Sequence, residues 1–174
     1  MNAKTLSTSR PMKIDPVIGA VFVGFGATFA MDLWTVFLNR ELAIPLPNYC
    51  FIGRWLRHMV DGTFTHPSIA AAAQRSSECP IGWIAHYTIG ALFALGLVSL
   101  ATPRWLQSPT FTPALVFGIV TVVFPFFIMQ PAFGLGPAAS KAPNPMQARL
   151  RSLMNHVVFG VGLYLSALVL SLIH

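Results

Sequence analysis

The chain has 174 residues, of which 55% are hydrophobic and only 9% charged, and its 11 Lys and Arg against 5 Asp and Glu give a formal net charge of +6. A water-soluble surface needs about a quarter of residues charged, so an ordinary soluble domain is excluded and a lipid-facing chain is expected. The basic excess lies in tails and loops beside apolar runs, with no basic stripe interleaved with aromatics, so it points to anionic headgroups rather than to nucleic acid.

Four apolar segments reach the length of about 20 residues that a bilayer span requires. The first runs from about Pro16 to Leu38. Lys4, Arg10 and Lys13 before it give it the look of a signal peptide, but the run is too long, contains Asp32, and has no A-x-A cleavage site. It reads as a retained helix. A long loop, 39–81, follows and carries both cysteines, Cys50 and Cys79. Within it Ile52, Trp55, Leu56, Met59 and Val60 share one helical face and Arg54, Arg57, His58 and Asp61 the other, with Gly62 as a stop. This predicts a short amphipathic helix over about 52–61, lying in the membrane interface or capping the bundle. A second short helix is expected from Ile69 to Gln74, after Pro67.

The second span is expected over about 82–101, followed by a short Pro-containing turn, then the third over about 113–133 with Pro125 and Pro131 inside it. A loop rich in Gly, Pro and Ala, 134–152, leads to the fourth, about 153–173. Open strands cannot cross lipid, so all four are helices. The expected fold is an all-α integral membrane protein, a single four-transmembrane-helix bundle over 1–174 with one short amphipathic interfacial helix in its first long loop. The two larger loops hold Arg40, Arg54, Arg57, Arg75, Lys141, Arg149 and Arg151, against Lys4, Arg10, Lys13 and Arg104 on the opposite side. By the positive-inside rule the larger loops face the cytoplasm, which would leave Cys50 and Cys79 as reduced thiols.

Ionisable residues inside such spans are costly and mark function by default. Here they are Asp32, His86 and His156, with Gln130, Asn155, Tyr87 and Thr28 as polar companions. Asp32 lies roughly 9 Å from the end of its span and His86 roughly 6 Å from the start of the next. Gln130 and His156 flank the third connection, so all four residues share one leaflet. Asp32 and both histidines also sit on ridges of small residues: Ala20, Gly24, Thr28 before Asp32; His86, Gly90, Ala94; Ser152, His156, Gly160. Small residues at four-residue spacing bring membrane helices close, so the acid and both histidines are expected to converge in one pocket. The alternative is ordinary hydrogen bonding across helices.

Three chemistries fit that set. Asp32 with titratable histidines suits a proton- or cation-linked site. Asp32, His86 and His156 are the residues that would hold a transition metal, or His86 and His156 a b-type haem, since there is no CxxCH; no cofactor is expected. A membrane enzyme acting on a lipid headgroup would use Asp32 or a histidine as general base, with Arg54, Arg57, Lys141, Arg149 and Arg151 as candidate anionic headgroup contacts. The leading reading is a non-enzymatic membrane protein that handles or senses a proton, ion or small solute. The lipid-directed enzyme, or a structural subunit that binds a membrane partner or a second copy, is the alternative.

Several short motifs occur in one order along the chain. They are Gly26-Ala27-Thr28 with Met31-Asp32-Leu33-Trp34, Gly53-Arg54-Trp55, Gly82-Trp83 with His86-Tyr87, Met129-Gln130-Pro131 with Gly134-Leu135-Gly136, and Asn155-His156 with Gly160. In these the chain resembles a bacterial family of small membrane proteins, domain of unknown function 2938, over nearly its whole length. The resemblance implies a bacterial inner-membrane location. It implies no activity.

Overall fold

The computed structural model describes residues 15–173. Among these residues the fold is entirely helical: α1 (Pro16–Leu42), α2 (Cys50–Val60), α3 (Glu78–Ala101), α4 (Phe111–Ala132) and α5 (Pro145–Leu172). All but α2 are long and apolar enough to cross a membrane. Their outward faces carry large apolar side chains without a protein partner, among them Phe22, Phe29, Leu33, Leu92, Val116 and Val169. The basic tail with Lys4, Arg10 and Lys13 lies outside the described residues.

The helices run longer than hydropathy alone predicts, and side-chain caps fix the starts of α1 and α5. Asp15 accepts hydrogen bonds from the amides of Val17 and Ile18, and Pro16 opens the first turn of α1. Asn144 does the same for α5 through Gln147, followed by Pro145. Both are strong N-terminal signals, since a side-chain oxygen satisfies an orphan amide and proline needs none. Helix α5 therefore begins eight residues before the expected 153, and Arg149 and Arg151 lie on it rather than in a loop. Proline breaks the regular ladder of α4: its α-helical part ends at Val120, and Pro125–Met129 form a π-helical turn before Gln130–Ala132 complete the span. Proline lacks the amide that an α-helix would use there. Between α3 and α4 a 3₁₀ turn, Pro103–Leu106, buries Trp105 and Leu106 against one end of the core.

Laterally, α1 packs on α3 and on α5, and α5 packs on α4, giving the order α3–α1–α5–α4. Glycines decide these seams. A β-carbon on Gly24 would stand 2.5 Å from the Ala91 Cα across the α1–α3 seam. One on Gly162 would stand 2.8 Å from the Ala27 Cα across the α1–α5 seam, and Gly118 faces Gly160 backbone to backbone between α4 and α5. Close approach through small residues gives membrane helices their packing energy. Gly118→Ala is expected to lower the unfolding free energy by about 1–3 kcal/mol, because the obstructing atoms are backbone and cannot rotate away. Unfolding in mild detergent, followed by helical signal, measures this; a variant as stable as the parent would refute backbone contact at that seam.

The long loop forms a cap over one end of the bundle. Helix α2 crosses the start of α3 with Gly53 against Glu78 and Gly82 against the Tyr49 carbonyl. Beside that crossing Cys50 and Cys79 form a disulfide. The expectation of two reduced thiols is therefore wrong: the glycine crossing brings the two cysteine-bearing turns together. The amphipathic faces assigned to α2 also need correction. Ile52 is buried as expected, but so are Arg54 and His58, while Val60 is 80% exposed. The cap wraps α2 on its polar side as well, so the helix is held by polar contacts from residues 69–78 and does not simply rest on an apolar surface. Trp55 donates to the Phe64 carbonyl and packs edge-on against Phe133. The short helix expected at 69–74 is a single turn, closed by Ala71 and Ala72 amides on Ser68.

Candidate functional site

Asp32 lies on the ridge of α1 that faces α3, one turn after Thr28 and two after Gly24. With the observed helix ends it sits roughly 15 Å from the end of α1, and His86 roughly 12 Å from the start of α3, deeper than hydropathy suggests. The two meet directly: His86 Nε2 is 3.0 Å from Asp32 Oδ1. A carboxylate only accepts, so Nε2 carries the proton in this contact. Tyr49 donates to the same oxygen at 2.8 Å, and Tyr87 donates to Oδ2 at 3.0 Å. Thus one carboxylate receives three hydrogen bonds, from one imidazole and two phenols. The Asp32 and His86 side chains are 14% and 8% exposed.

Aromatic packing holds the geometry. The Tyr49 ring stacks on His86 with centroids 3.9 Å apart and meets Trp83 edge-on at 4.7 Å. Phe25 closes on Tyr87 edge-on. Burial, and then the Asp32 carboxylate beside it, push the Tyr49 phenol up, so its hydroxyl stays a donor. Tyr49 was not expected at this site. Its signal lies in the cysteines: Cys79, Trp83 and His86 fall at i, i+4 and i+7 on α3, so a bond from Cys79 to Cys50 carries the neighbouring Tyr49 onto the face that bears His86.

The single pocket expected from Asp32, His86 and His156 is not what the fold builds. His156 lies on the ridge of α5 that contains Gly160, and that ridge faces α4. Its Nδ1 is 2.8 Å from Thr121 Oγ1, which itself lies 2.6 Å from the Gly118 carbonyl. The hydroxyl has one proton; given to Gly118, it leaves the imidazole Nδ1 as the donor. Gln130 donates to Ser152 on α5 at 3.1 Å, and its Oε1 is buried without a partner among the described residues. Asn155 is half-buried next to His156. Thr28 donates to the Gly24 carbonyl of its own helix and packs on Gly90, so its hydroxyl serves the seam. Asp32, His86 and Tyr87 are brought together; Gln130 and His156 belong to the α4–α5 seam with Thr121 and Ser152.

The arginines divide as well. Arg54, 5% exposed, makes a two-pronged ion pair with Glu78, Nε to Oε2 at 2.9 Å and Nη2 to Oε1 at 2.7 Å, and donates through Nη1 to the carbonyls of Ile69, Ala70 and Ala72. Every arm is engaged inside the protein, so Arg54 is not a headgroup contact. Arg57 and Lys141 are exposed. Arg149 donates to the Ala138 carbonyl, and Arg151 keeps a buried Nε with no partner among the described residues. His58, read from the sequence on the polar face of α2, sits between the Ala73 carbonyl and Arg75, which pairs with Asp61. Among the described residues no three His, Cys, Asp or Glu side chains gather to hold a metal. His86 and His156 engage different partners, Asp32 and Thr121, on different seams.

Comparison with curated proteins and with solved structures finds no match to this chain. The family model for DUF2938, a protein family of unknown function, matches residues 21–170, from the first turns of α1 to the last turn of α5. That stretch contains Asp32, His86, the capping loop and all three glycine seams, and the chain belongs to the DUF2938 family.

Proposed function

We propose that this chain is a multi-pass membrane protein of the bacterial inner membrane whose Asp32–His86 pair, with Tyr49 and Tyr87, takes up and passes on a proton, linked to movement or sensing of an ion or small solute. The observation that carries the reading is the three-donor network on one carboxylate, set well inside two long apolar helices and beneath a polar cap. A carboxylate there is costly unless it is paired, and pairing it with an imidazole and two phenols makes a short chain of exchangeable protons. Such groups in apolar spans are the usual parts of proton relays. The disulfide supports placing the cap on the oxidising side of the membrane, with the Arg104 end on the cytoplasmic side.

The test uses the full chain reconstituted into vesicles that contain a pH-sensitive dye. An imposed membrane potential should drive proton uptake with the parent protein, and Asp32→Asn should abolish it. Tyr49→Phe and Tyr87→Phe, each removing one donor, should reduce it. Equal uptake by the parent and a folded Asp32→Asn variant would leave the network as a helix-packing device.

A further inference from the structure

On the opposite side of α1 from Asp32, a groove of about 400 Å³ runs between the later part of α1 and the start of α5. Its walls are apolar, chiefly Leu38, Ile44, Leu150 and Met154. Trp34, Asn144, Gln147 and Arg151 bring polar groups to them. Trp34 and Arg151 both line the groove, and Trp34 Nε1 and Arg151 Nε are buried with no hydrogen-bond partner among the described residues. An unpaired buried donor costs about 1–3 kcal/mol, so an acceptor held at this groove would relieve a cost that the described residues leave. Indole and guanidinium only donate, so that acceptor must be an anion or a strong oxygen acceptor. No acidic residue lines the groove, and α5 begins at Pro145, so its positive end lies there too.

We infer that this groove binds an anionic glycerophospholipid, with its phosphodiester on Arg151 and the Trp34 indole N–H and an acyl chain along Leu38, Leu150 and Met154. The phosphate suits the donors and a charge-assisted bond to arginine. The acyl chain suits the apolar wall. A free phosphate would satisfy the donors but leave that wall in water. The inference rests on the membrane placement proposed above but not on a proton role for Asp32.

The test uses the purified full chain, stripped of lipid in detergent and titrated with phosphatidylglycerol, phosphatidylcholine or inorganic phosphate. Intact-protein mass spectrometry counts the bound molecules. Phosphatidylglycerol should bind in preference to phosphatidylcholine. Arg151→Gln should weaken it about tenfold, and Trp34→Phe, which keeps an aromatic ring but removes the donor, about threefold. Equal binding of phosphatidylglycerol by the parent and both variants would overturn the site. So would inorganic phosphate that binds equally well and displaces the lipid. Retention of the chain in carbonate-washed membranes, measured alongside, separates the two readings: its loss would overturn membrane placement and lipid site together, whereas retention without selective lipid binding would overturn the lipid site alone.

Discussion

Glu78→Gln is expected to lower the unfolding free energy by about 3–5 kcal/mol. Among the described residues the carboxylate is the only charge partner of Arg54, and both side chains are nearly enclosed, at 12% and 5% exposed. Two of the guanidinium's donors end on its two oxygens, and the Arg75 amide adds a third bond at 2.9 Å. A glutamine amide has one acceptor oxygen. Its NH₂ group would face an arginine donor, leaving a buried cation both uncompensated and short of an acceptor. The penalty falls on the cap, because Arg54 ties α2 to the carbonyls of 69–72 as well as to α3. The double variant Arg54→Met, Glu78→Gln should recover much of the loss, since removing both charges also removes the cost of burying them. Denaturation in mild detergent measures both. A single variant within about 0.5 kcal/mol of the parent would show that the pair is solvated and contributes nothing.

Reducing the Cys50–Cys79 bond is expected to cost about 3–4 kcal/mol, by the entropy regained when a loop with a sequence separation of 29 is released. The local effect matters as much. Tyr49 precedes Cys50 and is held over His86 by stacking, so releasing the bond frees the element that delivers one of the three donors on Asp32. Cys50→Ser, Cys79→Ser should therefore unfold at lower temperature and pass fewer protons in the vesicle assay. Oxidation in the cell is read by alkylating whole cells before and after reduction. Both thiols should resist an impermeant reagent until a reductant is added. Labelling of both without reduction would show free thiols on the outer face and refute the bond, whereas labelling only by a permeant reagent would return the cap to the cytoplasmic side that the charge count suggests.

Much of the architecture was legible in the chain because hydropathy and length are local properties. The four apolar spans, the amphipathic α2 and the small-residue ridges around Asp32, His86 and His156 can all be read residue by residue. So can the caps at Asp15 and Asn144, although hydropathy alone places the start of α5 eight residues late. What the tertiary structure alone decided is which ridge meets which neighbour. Helix α5 carries two: Ser152, His156 and Gly160 face α4, whereas Gly162 and Ser166 face α1. Both have the same small-residue character, so no local signal ranks them, and His156 goes to Thr121 instead of to Asp32. Arg54 shows the same limit. On a helical wheel it belongs to a solvent face, but a carboxylate 24 positions away and three carbonyls of the following loop bury it. Burial of a charge depends on a partner distant in sequence, and the chain alone does not say which partner arrives. Tyr49 reaches Asp32 for a comparable reason: a disulfide and a glycine crossing, each between residues 29 positions apart, carry it there.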